Sequence, residues 1–181
     1  YVGFKSSLIQ FSNDISEKKL LEEIKKLNHN PILDGYIVQL PLPKHINEQT
    51  ILLAIDPKKD VDGFHPENFG RMALQLNSYI PATPFGIIQL LDRYKVPTSG
   101  KHCVVVGRSH IVGRPISILM SQKRSEGNAT VTLAHSRTEN LGAITRQADI
   151  IIMALGIPEY LKADMVKNGV SGIDGGITRV R

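Results

Sequence analysis

The stretch "VVVGRSHIVGRP", residues 104–115, limits the possible folds more than any other part of the chain. A β-branched run, "HCVVVG" at 102–107, ends in Gly107, and Gly113 opens an apolar segment with Pro115 in its first turn. Proline is tolerated there because the first N–H groups of a helix have no acceptor within it. Strand, glycine turn and helix in this order begin a βαβ unit, and such units build parallel sheets covered by helices. The turn lacks the second glycine of G-x-G-x-x-G, yet its context marks a dinucleotide phosphate site. Gly107 lets the backbone approach a pyrophosphate, and the helix start offers amides and partial positive charge. A tight turn without a ligand is the competing reading.

The following strand, "ATVTLAH" at 129–135, discriminates between coenzymes. NAD sites usually carry Asp or Glu at this strand end, for the ribose 2′-hydroxyl. Here the end reads His135-Ser136-Arg137-Thr138. A hydroxyl and a guanidinium suit a 2′-phosphate, and Arg108 on the first turn offers a second cation, so NADP is expected over NAD. Solvated surface arginines are the alternative.

Two αβ series run along the chain. In the first, "SSLIQF" (6–11) reads as a strand and 16–28 as a helix with apolar positions Leu20, Leu21, Ile24 and Leu27, capped by Ser16. Tyr36 to Leu40 reads as a buried strand ended by Pro41 and Pro43, and 47–55 as a helix. Residues 56–83 form a long region of weak periodicity, and loops of this length are usually functional or disordered. "PFGIIQLLDRY" (84–94) is a helix, and the turn-rich "KVPTSGK" (95–101) marks the domain boundary. The second series adds helices at 112–122, 140–148 and 162–169, and strands at 149–156 and 170–174. The expected architecture is α/β. It has two α/β domains, 1–94 and 95–181, with a cleft between them, the second a Rossmann-like doubly wound sheet.

Composition closes off other classes. The hydrophobic fraction of 41% and charged fraction of 22% suit a soluble globular chain. No apolar run reaches the length of a bilayer span. The single cysteine, Cys103, excludes an internal disulfide and suits a reducing, cytoplasmic setting. The net charge of +5 is scattered rather than clustered, which favours a small anionic ligand over nucleic acid. The chain opens on Tyr1 rather than Met and stops at Arg181, where an α/β sheet is expected to continue, so it reads as part of something longer.

The segment "KDVDGFHPENFGR", 59–71, concentrates turn formers and charge. Asp60 is expected to cap a turn, Asp62 to grip a ligand edge, and His65 to be structural or solvated, having no metal-ligand spacing to another histidine. Tyr1 and Lys5 stand at i and i+4, and Gln39 ends its strand just before "LPLP", near where open α/β sheets bind ligands.

Together, "YVGFK", "GYIVQLPLPK", "DPKKDVDGFHPENFGR", "PATPFG", "VVVGRSHIVGRP" and "TVTLAHSRT" resemble the methylenetetrahydrofolate dehydrogenase/methenyltetrahydrofolate cyclohydrolase family over nearly the whole chain. The resemblance implies that Lys5 is catalytic, that Gln39 positions it, and that Tyr1 stacks on the folate. It implies that Asp62 binds the pterin, and that Gly63, Pro81 and Thr83 contribute to the substrate site, with 81–84 at the interdomain cleft. The expected cofactor set is Gly107, Arg108, Ser109, Val112, Gly113, Ser136, Arg137, Gly156 and Ile177, with no metal. A homodimer acting on a tetrahydrofolate substrate follows from the same resemblance. The sequence departs from the family at Ala82, where many relatives carry cysteine, and after Lys5, where the family has more residues before the next strand. A monofunctional dehydrogenase of this family, a shikimate-type dehydrogenase and a basic nucleic-acid-binding module are the rivals.

Overall fold

The computed structural model describes residues 3–176. Its contacts divide the chain into two compact units, Tyr1–Asp60 and Val61–Arg181. This division lies ahead of the 94/95 boundary drawn from the sequence, and it groups residues 61–94 with the sheet.

The first unit is built on two helices. Helix α1, Glu17–His29, starts where expected, with the Ser16 hydroxyl accepting the Lys19 N–H at 3.3 Å. Helix α2, Glu48–Ala54, is capped in the same way by Asn47, whose side chain accepts the Thr50 N–H at 3.1 Å. Leu20 and Ile24 of α1 pack with Ile46, Ile51 and Ile55. Each such aliphatic side chain, once fully buried, contributes roughly 1.5–3 kcal/mol. Asn28 fastens the unit at its centre. Its Oδ1 accepts from the Tyr36 hydroxyl at 2.7 Å and from the Asp56 N–H at 2.9 Å, and its Nδ2 donates to the Ala54 carbonyl at 2.8 Å. Burial, reinforced by Asp56 and Asp60, pushes the Tyr36 phenol up to about 12, so it stays a donor.

The strands expected at 6–11 and 36–40 do not form. Residues 6–11 are exposed and irregular, and 36–40 hold one parallel bridge, Tyr36 to Asp60. Leu8, Ile32 and Ile37 are exposed. A strand needs a neighbour to take its N–H and C=O groups, and among the described residues these two segments find no further partner strand.

In the second unit, helices α3 (Pro66–Ala73) and α4 (Ala82–Arg93) precede strand β1 (His102–Val106), helix α5 (Gly113–Ser121) and strand β2 (Thr130–Ala134). Helix α6 (Leu141–Thr145), strand β3 (Ile150–Met153), a 3₁₀ turn at Ala163–Met165 and strand β4 (Ser171–Asp174) complete it. All strand pairs are parallel, in the order β2-β1-β3-β4. The chain steps from β1 outward to β2, then back across to β3, so the order reverses at the β1–β3 boundary.

The two-residue period of a strand divides the core. Cys103, Val105, Ile150 and Ile152 face Ile87, Ile88 and Leu91 of α4 and Ile116, Leu119 and Met120 of α5. Val104, Val106, Ile151 and Met153 face the other way, with Leu141 and Ile144 of α6 packed against them. Helices on both faces of a parallel sheet are the doubly wound arrangement expected from the sequence.

Two expectations within this unit fail. Residues 66–73, read as part of a loop, form α3. The His65 ring caps it by accepting the Glu67 N–H at 3.2 Å, and Pro66 fills its first position. Residues 162–169, read as a helix, make only the single 3₁₀ turn at Ala163–Met165. That segment is short and closes on Gly169 at φ +80°, which leaves little length for a helix.

Candidate functional site

In a parallel sheet every strand points the same way, so the segments leaving β1, β2, β3 and β4 gather along one edge. The segment after β1 is the glycine turn. Gly107 takes φ +118°, and a Cβ there would stand 2.4 Å from the Ala154 carbonyl oxygen. A Cβ on Gly113 would stand 2.0 Å from the Gly107 oxygen. Glycine is therefore required at both positions, and the backbone folds back on itself as a phosphate cradle requires. The Ser109 hydroxyl accepts the Val112 and Gly113 N–H groups, each at 3.2 Å, holding the start of α5 in place. Arg108 is exposed beside this turn.

The segment after β2 is a closed turn. The Thr138 N–H donates to the His135 carbonyl at 2.8 Å, and the His135 N–H donates back to the Thr138 hydroxyl at 2.8 Å. Ser136 and Arg137 sit exposed at its tip. The Gly107 N–H donates to the Ala134 carbonyl at 2.9 Å, so this turn starts beside the glycine turn. After β3 comes Ala154–Gly156, with Gly156 exposed. After β4, Asp174 Oδ1 accepts the Gly176 N–H at 2.8 Å. Ile177 lies outside the described residues.

A second group of candidate residues meets in the same unit. Gly63 adopts φ +68°, and a Cβ there would lie 2.7 Å from the Tyr79 carbonyl oxygen and 3.1 Å from Pro81 Cδ. The loop carrying the half-buried Asp62 is thus seated on residues 79–81. Thr83 follows in the first turn of α4, and a Cβ on Gly175 would touch both Thr83 Cγ2 at 3.9 Å and Ile87 Cδ1 at 3.2 Å. Gly63, Pro81, Thr83 and the exit of β4 are therefore linked by direct approach.

Lys5 and Gln39 belong to the first unit. Both are exposed, and the Gln39 amide donates to the Leu40 carbonyl at 3.0 Å. Nothing in the described structure joins these two side chains. Tyr1 lies outside the described residues.

Sequence reasoning missed the residues that support the site. The Tyr79 carbonyl, the Ala154 carbonyl and the Asp174 carboxylate each fix a glycine, and such contacts leave no local signal. His135 and Thr138 did leave one, a Thr three residues after the start of a polar turn. Among the described residues no group of three or more His, Cys, Asp or Glu is placed to hold a metal, and no helix is long and apolar enough to cross a membrane.

A parallel sheet wrapped on both faces, with a glycine turn at its order reversal, defines a Rossmann-like unit of the dinucleotide-binding class. Residues 81–181 match the family model "Tetrahydrofolate dehydrogenase/cyclohydrolase, NAD(P)-binding domain", and residues 1–62 match the catalytic domain of the same family. The chain belongs to the tetrahydrofolate dehydrogenase/cyclohydrolase family.

It is 69% identical over 179 residues to the bifunctional protein FolD of Flavobacterium johnsoniae, covering 99% of this chain and 61% of that one. The solved bifunctional FolD enzyme of Campylobacter jejuni superposes with a TM-score of 0.87 at 44% identity, covering 93% of this chain and 58% of that one. The Trypanosoma brucei methylenetetrahydrofolate dehydrogenase-cyclohydrolase, solved with NADP and an inhibitor, gives 0.85 at 34% identity, covering 93% of this chain and 57% of that one. The chain thus spans about three fifths of the length of the curated relatives it matches.

Proposed function

We propose that the whole protein oxidises 5,10-methylenetetrahydrofolate to 5,10-methenyltetrahydrofolate with NADP, and hydrolyses that product to 10-formyltetrahydrofolate. Two observations carry this reading. Matches to both family domains occur in one chain, and the strand end that usually bears a carboxylate for NAD bears Ser136 and Arg137 instead.

The residues present fit the cofactor, because Gly107 at φ +118° and Gly113 pack main chain against main chain in the tight strand-to-helix turn that a pyrophosphate needs. Gly107, Ser109, Val112 and Gly113 would hold the pyrophosphate, and Arg108, Ser136 and Arg137 the 2′-phosphate. Gly156 and Ile177 would line the remainder. Bound NADP supplies the hydride acceptor.

The chain's own residues do the rest. Asp62 offers a carboxylate to the pterin's amino group and adjacent ring N–H, two parallel charge-assisted hydrogen bonds. Gly63, Pro81 and Thr83 shape the same ligand edge, and Tyr1 stacks on the ring. Hydride loss from the bridging carbon leaves a cation shared by N5 and N10. Water adds to that carbon and gives up a proton. The resulting hydroxyl then loses its own proton to become the formyl carbonyl as the bond to N5 breaks. N5 takes up a proton, so one proton is released overall. Lys5 moves these protons, and Gln39 orients its amine.

The functional boundary stays at 94/95, with folate binding in 1–94 and NADP binding in 95–181, since residues 61–94 supply the pterin-binding loop. The protein works as a cytoplasmic homodimer whose formyl product feeds purine biosynthesis. The lone buried thiol of Cys103 supports a reducing compartment.

The test follows NADPH formation and formyl product separately in the full-length protein. Lys5→Met should abolish hydrolysis and keep folate binding, and unchanged hydrolysis in that variant overturns the assignment. NADPH formation without formyl product in the wild type would identify a monofunctional dehydrogenase.

A further inference from the structure

We propose that Thr138 is a positioning residue that sets the preference for a phosphorylated coenzyme, acting through Ser136 and Arg137 without touching the ligand. This rests on the reading of 136–137 as the 2′-phosphate subsite. The turn after β2 is closed from both sides. The His135 N–H donates to the Thr138 hydroxyl, and the Thr138 N–H donates to the His135 carbonyl, each at 2.8 Å. A third bond runs from the Arg137 N–H to His135 Nδ1 at 3.1 Å. In this contact the amide donates and the ring nitrogen accepts.

The two residues that close the turn are half-buried, and the two at its tip are exposed. Inward residues therefore hold the frame from which Ser136 and Arg137 are presented. A guanidinium recognises phosphate through a planar fork, and the gain depends on the fork being held in one orientation. Within this turn the Thr138 hydroxyl is the acceptor of the His135 N–H. Without that oxygen a half-buried donor is left unpaired, and the turn relaxes to find another partner. The pyrophosphate cradle is unaffected, since Gly107 and Gly113 are fixed by backbone approach rather than by this turn.

The test measures NADP and NAD dissociation constants on the full-length protein, wild type and variants, by calorimetric titration. Thr138→Val keeps the shape and removes the acceptor. It should weaken NADP about tenfold, the scale of one lost hydrogen bond, and leave NAD unchanged within about twofold. Thr138→Ser should restore NADP binding. Equal weakening of both coenzymes would reduce Thr138 to a purely structural role and overturn the proposal, as would undiminished NADP affinity. Arg137→Ala separates the two levels of inference. If it leaves NADP affinity intact, the subsite reading itself fails and the proposal with it. If it abolishes the preference while Thr138→Val does not, the role of Thr138 alone is refuted.

Discussion

Gly113 lies so close to Gly107 that a Cβ on it would stand 2.0 Å from the Gly107 carbonyl oxygen. Because the obstacle is backbone, no rotamer change can relieve it. Gly113→Ala should open the turn, cost about 2 kcal/mol or more in stability, and weaken NAD and NADP together. Thermal melting and coenzyme titration check both halves. A variant that melts normally and binds either coenzyme normally would show that the cradle is not where the pyrophosphate rests.

Gly63 should matter to the other ligand. Alanine at φ +68° is strained by roughly 1 kcal/mol or more, and its Cβ would press on the Tyr79 carbonyl, displacing the loop that bears Asp62. Gly63→Ala is expected to raise the folate KM about tenfold, equivalent to about 1.4 kcal/mol, with NADP affinity kept. Steady-state kinetics with each substrate varied in turn decides this, and a parallel loss of both affinities would mean general damage to the fold.

Cys103 lies in the middle of the sheet, and burial pushes its thiol up to about 12. The nucleophilic thiolate is therefore scarce at ordinary pH. Iodoacetamide at pH 8 should leave the native protein unlabelled, with full labelling after denaturation, as read by mass spectrometry. Stoichiometric labelling of folded protein would contradict the burial.

Asp149 gives an acid-sensitive contact at the opposite edge of the sheet. The Lys167 ammonium, 2.6 Å away, and the His102 N–H, at 2.9 Å, hold its carboxyl below the usual carboxylate range. A lowered folded-state value adds stability above the unfolded value near 4, and that contribution disappears as pH falls through the folded one. Asp149→Asn should thus lower the melting temperature at pH 7 and matter little at pH 2. Equal deficits at both values would point to lost packing instead.

The nucleotide half was legible because its signals are local. A β-branched run suits a strand buried on both faces, and residues 103–106 and Ile150–Met153 are buried throughout. The Ser16 cap was legible for the same reason, since a hydroxyl reaches only a few residues along its own chain. The strands read at 6–11 and 36–40 carry the right residue types, but pairing depends on a distant neighbour, which residue type does not encode. Helix α3 announced itself through Pro66 and Glu67, yet Gly70 and its eight-residue length masked the period. For the candidate site, the residue types at 107–113 and 135–138 pointed to anions. The reciprocal bonds of His135 with Thr138, and the seating of Gly63 on Tyr79, emerge only in three dimensions.

The cradle at Gly107 and Gly113 is fixed by main-chain crowding, whereas the adjoining turn at 135–138 is fixed by side chains. Main-chain crowding tolerates no exchange of residue; a side-chain clasp can be redrawn one substitution at a time. Retargeting such a scaffold from one coenzyme to its unphosphorylated counterpart is therefore a matter of the turn at 135–138 together with Arg108, with the rest of the sheet left as inherited.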